Sequence, residues 1–230
     1  GTAGPEDGGY IAIASGNTSF SAIKADGTVV HWGTAQDAGF DHFLKAPEKI
    51  DGNVAIYANK NAFAALSSQG EISIWGPTTH GGSWRILTGA DQLVQRSEIS
   101  DKGFQSIAVT SSAFAALKDD GSILSWGNCA DTYLETIDCD GLEPGQSQGV
   151  YTKIYSNSKA FAALDSNGYI ATWGSPKCGG SPAGSDTNIK SPPTGDGYTS
   201  VYAGECHFTA VNKRSEERRV GKECSVACRS

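Results

Sequence analysis

A phrase of fourteen residues recurs along the chain and constrains the fold more than any other feature. It spans Phe20 to Gly33, Phe63 to Gly76, Phe114 to Gly127 and Phe161 to Gly174, and starts a fifth time at Phe208-Thr209-Ala210-Val211 before the pattern stops. The phenylalanines stand 43, 51, 47 and 47 residues apart. Self-similarity at this period marks stacked or radially arranged units, each too small to bury its own apolar face. Inside every copy the turn is explicit: Asp26-Gly27, Gln69-Gly70, Asp120-Gly121 and Asn167-Gly168 each sit between two apolar runs. Glycine takes the positive φ that a tight hairpin turn requires.

The strand after the turn alternates, with Ile72 and Ile74 on one face and Ser73 and Trp75 on the other. The strand before it, Phe63-Ala64-Ala65-Leu66, is apolar on both faces and reads as buried between two layers. The tryptophan needs a partner for its N–H and suits a seam between sheets. The glycine after it suits close backbone approach. A further strand precedes each hairpin, at Tyr10–Ile13, Val54–Tyr57, Phe104–Val109, Val150–Tyr155 and Tyr198–Tyr202. Three strands with a variable connection, which has room for a short fourth, are the content of one propeller blade.

The phrase Phe-Ala-Ala-Leu, polar residues, Gly, strand, Trp-Gly resembles the regulator of chromosome condensation repeat, over residues 10 to about 211. That resemblance implies an all-β propeller, usually of seven blades. It also implies a choice among functions: nucleotide exchange on a small GTPase, chromatin binding, ubiquitin-ligase modules or secreted inhibition of β-lactamase. The fold does not choose among these. The predicted fold is thus a propeller-like array of four complete blades and a partial fifth, incomplete or part of a larger propeller. The repeat core is Phe20, Trp32, Phe63, Trp75, Phe114, Trp126, Phe161, Trp173 and Phe208. An unclosed propeller leaves an edge with unpaired backbone groups. The chain is therefore expected to be a piece of a longer protein, an unusually small closed ring, or a unit that docks head to tail on copies of itself.

Three regions are expected: a flexible N-terminal segment at 1–9, the repeat domain at 10–213, and a non-repeat tail at 214–230. From Lys213 onward the chain holds six Lys/Arg against three Glu, although the whole carries a net charge of -7. So abrupt a reversal at a broken repeat reads as a foreign, adapter-derived tail; a basic interaction tail is the alternative. There is no methionine, which suggests that the sequence starts downstream of a natural initiator. No apolar run is long enough to span a membrane. The acidic balance weighs against nucleic acid as a partner, since little counterion release is available.

The cysteines outside the tail are Cys129, Cys139, Cys178 and Cys206. An even number in loops fits two bridges, Cys129–Cys139 and Cys178–Cys206, and an oxidising compartment; free cytosolic thiols are the alternative. Asn17-Thr18-Ser19 is an N-glycosylation triplet. Trp84 and Tyr133 are candidate loop aromatics for a glycan or protein partner, though such residues more often cover their own loop. The acidic loop around Asp131, Glu135 and Asp138 matches no calcium or zinc spacing, and no catalytic constellation appears among His31, His42, His80, His207 and the scattered acids. The sequence therefore predicts no enzyme, no cofactor and no metal. The function expected is an extracellular structural or adhesion module whose partner is another protein, a glycan or its own copies. The alternatives are an intracellular interaction propeller, such as an exchange factor, or a secreted inhibitor or carbohydrate binder.

Overall fold

The computed structural model describes residues 6–33, 52–82, 84–87, 93–96, 98–99, 102–128, 150–180 and 196–213. The chain is a partial β-propeller, an arc of small antiparallel sheets. Sheet 1 is β1 (Tyr10–Ser15), β2 (Ser19–Lys24) and β3 (Val29–Gly33). Sheet 2 is β4 (Asn53–Ala58), β5 (Phe63–Ser67) and β6 (Ile72–Trp75); between it and sheet 3 lie the hairpin β7 (Trp84–Leu87) and β8 (Leu93–Arg96) and a short β9 (Glu98–Ile99), which pairs with β6 as a fourth strand. Sheet 3 is β10 (Phe104–Val109), β11 (Ala113–Lys118) and β12 (Ile123–Gly127), and sheet 4 is β13 (Tyr151–Ser156), β14 (Ala160–Asp165) and β15 (Ile170–Gly174). The partial fifth sheet is β16 (Tyr198–Ala203) and β17 (Phe208–Asn212). The first strands of successive sheets touch, β1 with β4, β4 with β10, β10 with β13 and β13 with β16, which puts them along the inside of the arc.

The turn glycines behave as their sequence context requires. Gly27, Gly70, Gly121 and Gly168 all have φ between 72° and 86°. Their turns are tied by side chains of differing type. Asp26 and Asp120 accept from the amides of Thr28 and Ser122, while Ser67 and Asp165 do the same from the strand end for Glu71 and Tyr169. These bonds hold the Asp26 carboxyl below its usual range, and the Ser122 hydroxyl and amide hold Asp120 below its own.

The core lies between sheets. Ala62, Ala64, Leu66, Ile72 and Ile74 of sheet 2 pack on Phe104, Ile107, Phe114, Ala116 and Trp126 of sheet 3. Ala113, Ala115, Leu117 and Ile123 repeat that role against Tyr151, Phe161, Ala163 and Trp173 of sheet 4. All four residues of β6 are buried, Ile72 and Ile74 on one face and Ser73 and Trp75 on the other. Both faces are covered, one by the preceding sheet and one by the next.

Two features were not foreseen. First, the inner strand of every sheet has the same irregularity, between Tyr10/Ala12, Asn53/Ala55, Phe104/Ser106, Tyr151/Lys153 and Tyr198/Ser200. Such bulges raise the local twist. Second, the residues expected to be a flexible N-terminal segment are partly tied down. The Gly9 carbonyl accepts from the Ala25 amide, and the Asp7 carboxylate accepts from Tyr10 and Lys24. Gly9 thereby repeats the role of Gly52, Gly103 and Gly197, whose carbonyls accept from Ser68, Asp119 and Lys213.

Candidate interaction surfaces

Each Phe and Trp of the repeat core are cross-strand partners: Phe20 faces Trp32, Phe63 faces Trp75, Phe114 faces Trp126 and Phe161 faces Trp173. Their rings stack with centroids 5.3 to 5.7 Å apart. The glycine after the tryptophan allows the two strands to close on each other. At Gly76 (φ 116°) a Cβ would stand 2.7 Å from the Ala62 Cα. Inside the arc these stacked pairs are sealed: Phe63, Phe114 and Phe161 are 0% exposed. In sheet 1 the same pair is open, with Phe20 at 42% exposure, Ile11 at 59% and Ile13 at 63%. Beside them lies a depression of about 470 Å³ lined by Asp7, Tyr10, Ile11, Ile13, Ala22 and Trp32. Phe208 of the fifth sheet is half-buried.

The indole N–H groups are satisfied unequally. Trp173 donates to Ser125 Oγ of the preceding sheet at 2.9 Å, and Trp126 donates to the Gly81 carbonyl at 3.1 Å. Trp75 Nε1 is buried and finds no hydrogen-bond partner among the described residues. The residue of sheet 1 that corresponds to Ser125 is His31. Its ring lies edge-on to Phe63 with centroids 5.2 Å apart, and its Nδ1 is 2.8 Å from Ser21 Oγ. Burial pushes the His31 imidazole below its ordinary pKa.

The bends between the first two strands of each sheet form a belt along one end of the arc. The Asn17 amide donates to the Lys60 carbonyl, Lys60 to Ser111, Ser111 to Ser158 and Ser158 to Glu205, over 2.7 to 3.4 Å. Asn17, the candidate glycosylation site, is exposed at the first of these bends.

Sheets 2 and 4 share a hook on this end. After Trp-Gly, a short 3-10 turn (Thr78–His80, Pro176–Cys178) leads into Gly81-Gly82 or Gly179-Gly180. Bend asparagines clasp it: Asn59 Nδ2 donates to the His80 carbonyl and Asn157 Nδ2 to the Cys178 carbonyl. Gly81 then sits against Phe114 and Trp126, and Gly179 against Phe208, where a Cβ would crowd the rings at 3.0 to 3.3 Å. In sheet 4 the hook carries a covalent link, because Cys178 is bonded to Cys206 on the next bend, with Cα atoms 4.3 Å apart. The connection after Trp173-Gly174 starts buried, at Ser175 and Cys178. The equal spacing of Trp-Gly from His80-Gly-Gly and from Cys178-Gly-Gly was the available signal.

Cys129, Cys139, Tyr133, His42 and the acidic loop lie outside the described residues, as does the tail from 214. Trp84 opens β7, and its side chain also lies outside them. His80 and His207 sit in different sheets, at the hook of sheet 2 and beside the bend of the fifth. Among the described residues there is no group of three His, Cys, Asp or Glu placed to hold a metal, and no helix long and apolar enough to cross a membrane.

No family profile matches the sequence, and no curated protein matches it. Solved structures do. Human WBSCR16 superposes with a TM-score of 0.56 at 16% identity, covering 89% of this chain and 60% of that one. Prp20p from Saccharomyces cerevisiae gives 0.57 at 14%, covering 92% and 58%; it was solved in a study of its binding to Gsp1p and histones. The same yeast protein, described as RCC1 (Prp20) and bound to Kap60, gives 0.55 at 16%, covering 92% and 56%. The chain spans at most 60% of the length of these structures. Its fold is the RCC1-type repeat propeller.

Proposed function

We propose that the chain is a non-enzymatic protein-binding module of the extracellular space, which presents the ends of a propeller arc to its partners. The observation that carries this reading is the uncovered aromatic face of sheet 1. A contiguous apolar patch of this kind marks a contact surface. Aromatic side chains at its centre are the residue type that dominates binding energy in interfaces. The compartment rests on the bridge between Cys178 and Cys206, which joins neighbouring sheets and would not persist among cytosolic reductants. The exposed triplet at Asn17 adds to it.

The test uses native material and an immobilised chain. Thiol trapping before reduction should leave Cys178 and Cys206 unlabelled. Extracellular extracts of the source cells should yield a protein retained by the wild type and lost with Phe20→Arg. Labelling of both cysteines in native material, with retention only from the cytosolic fraction, would reject the extracellular module.

A further inference from the structure

We infer that the open face of sheet 1 receives the fifth sheet of a second copy, so that chains add head to tail. This rests on the reading of the chain as a protein-binding module and names the partner of that surface.

The interior of the arc shows twice what covers a stacked Phe–Trp face: residues along the middle strand of the preceding sheet, small, small and branched, at Ala62-Ala64-Leu66 and Ala113-Ala115-Leu117. Ser19, Ser21 and Ile23 of sheet 1 hold the same register positions and are buried. The last described strand, β17, carries Thr209 and Val211 at the second and third of those positions, and His207, just before it, holds the first. Thr209 is exposed and Val211 half-buried, so among the described residues this strand covers no further sheet, while the face it fits is uncovered at the other end of the arc. His207 departs from the small-residue pattern. Its ring, however, folds back over Gly204, where a Cβ would lie 2.2 Å from Cε1.

The backbone belt has the same polarity. Every bend donates its N–H to the carbonyl of the next, from Asn17 through to Glu205. Among the described residues the Asn17 carbonyl receives no donor and the Glu205 amide finds no acceptor. A fifth sheet placed before sheet 1 would give its Glu205 N–H to the Asn17 carbonyl, in the direction of the four existing links. A face-to-face dimer of two first sheets would set two unsatisfied carbonyls at the same seam and cover aromatic face with aromatic face.

The experiment is sedimentation velocity on the purified oxidised chain and two exposed-site variants, Ile13→Asp at the first face and Thr209→Arg at the fifth sheet. Wild type should exceed its monomer mass of 24.0 kDa progressively with concentration. Each variant alone should stay at 24.0 kDa, or form only a minor fraction of dimer, with near-UV circular dichroism unchanged. Mixed in equal amounts, the variants should form a one-to-one dimer, because one retains the head and the other the tail. A wild type that stays monomeric through the high-micromolar range would overturn the inference, as would variants that each still assemble alone. Neither result touches the protein-binding reading, which stands or falls on Phe20-dependent retention of a protein from the extracts and on the state of the native thiols.

Discussion

At the scale of single residues, equivalent tryptophans are not energetically equivalent. Trp75, Trp126 and Trp173 are all buried, but Trp173 donates to Ser125 Oγ while Trp75 Nε1 finds no acceptor among the described residues. Replacing an indole with phenylalanine removes similar volume at both sites, yet at 173 it also strands the Ser125 hydroxyl. Trp173→Phe is therefore expected to lose about 1 kcal/mol more than Trp75→Phe in urea unfolding. Equal losses would mean that the bond to Ser125 contributes nothing. His31 is the second case. Its pKa is lowered by burial in the seam with sheet 2, so the folded state holds the neutral ring while the unfolded chain titrates normally. Stability from this site is present above the ordinary histidine pKa and is lost as pH falls through it. The midpoint of thermal unfolding should drop between pH 7 and 5, and His31→Gln should flatten that part of the profile. An unchanged slope in the variant would assign the drop to other groups.

At the scale of elements, the hooks of sheets 2 and 4 are one device used twice. His80 occupies the position of Cys178, and Ser112 that of Cys206, each pair lying at the seam between a hook and the following bend. The double variant His80→Cys/Ser112→Cys should form a second inter-sheet bridge on oxidation. Alkylation without reductant followed by mass measurement reads this directly; two labelled thiols at 80 and 112 would refute the equivalence. The hairpins themselves were legible in the sequence, because a glycine turn flanked by Phe-Ala-Ala-Leu and Trp-Gly leaves few alternatives. The bulge in each inner strand was not: it falls at Ile11, Val54, Gln105, Thr152 and Thr199, which share neither size nor polarity. It recurs at one register position of the inner strand in all five sheets, so it belongs to the backbone path they share. The exposure of Phe20 was legible only as the open edge of an unclosed propeller, since within its hairpin Phe20 holds the register position of Phe63, and only the neighbouring sheet distinguishes them.

At the scale of the whole molecule, the arc is quasi-one-dimensional, because among the described residues each sheet packs on the sheet before it and the sheet after it. Such arrays fray from their ends. Amide exchange should be slowest in β5, β11 and β14, whose residues are nearly all buried, and faster in β1 and β17. Reducing the Cys178–Cys206 bridge should speed exchange in β16 and β17 and leave β5 unchanged. Uniform exchange along the chain would instead mean a single cooperative unit. The hook also bears on ancestry. Among the described residues it occurs in the second and fourth sheets, clasped by Asn59 and Asn157, whereas Gly16, Thr110 and Gly204 stand at that bend in the others. A gene lengthened by copying two sheets at once keeps this alternation, whereas copying one would set two clasps side by side. A doublet as the copied module would make relatives of other lengths differ by even numbers of sheets, which a count of clasps in their sequences checks.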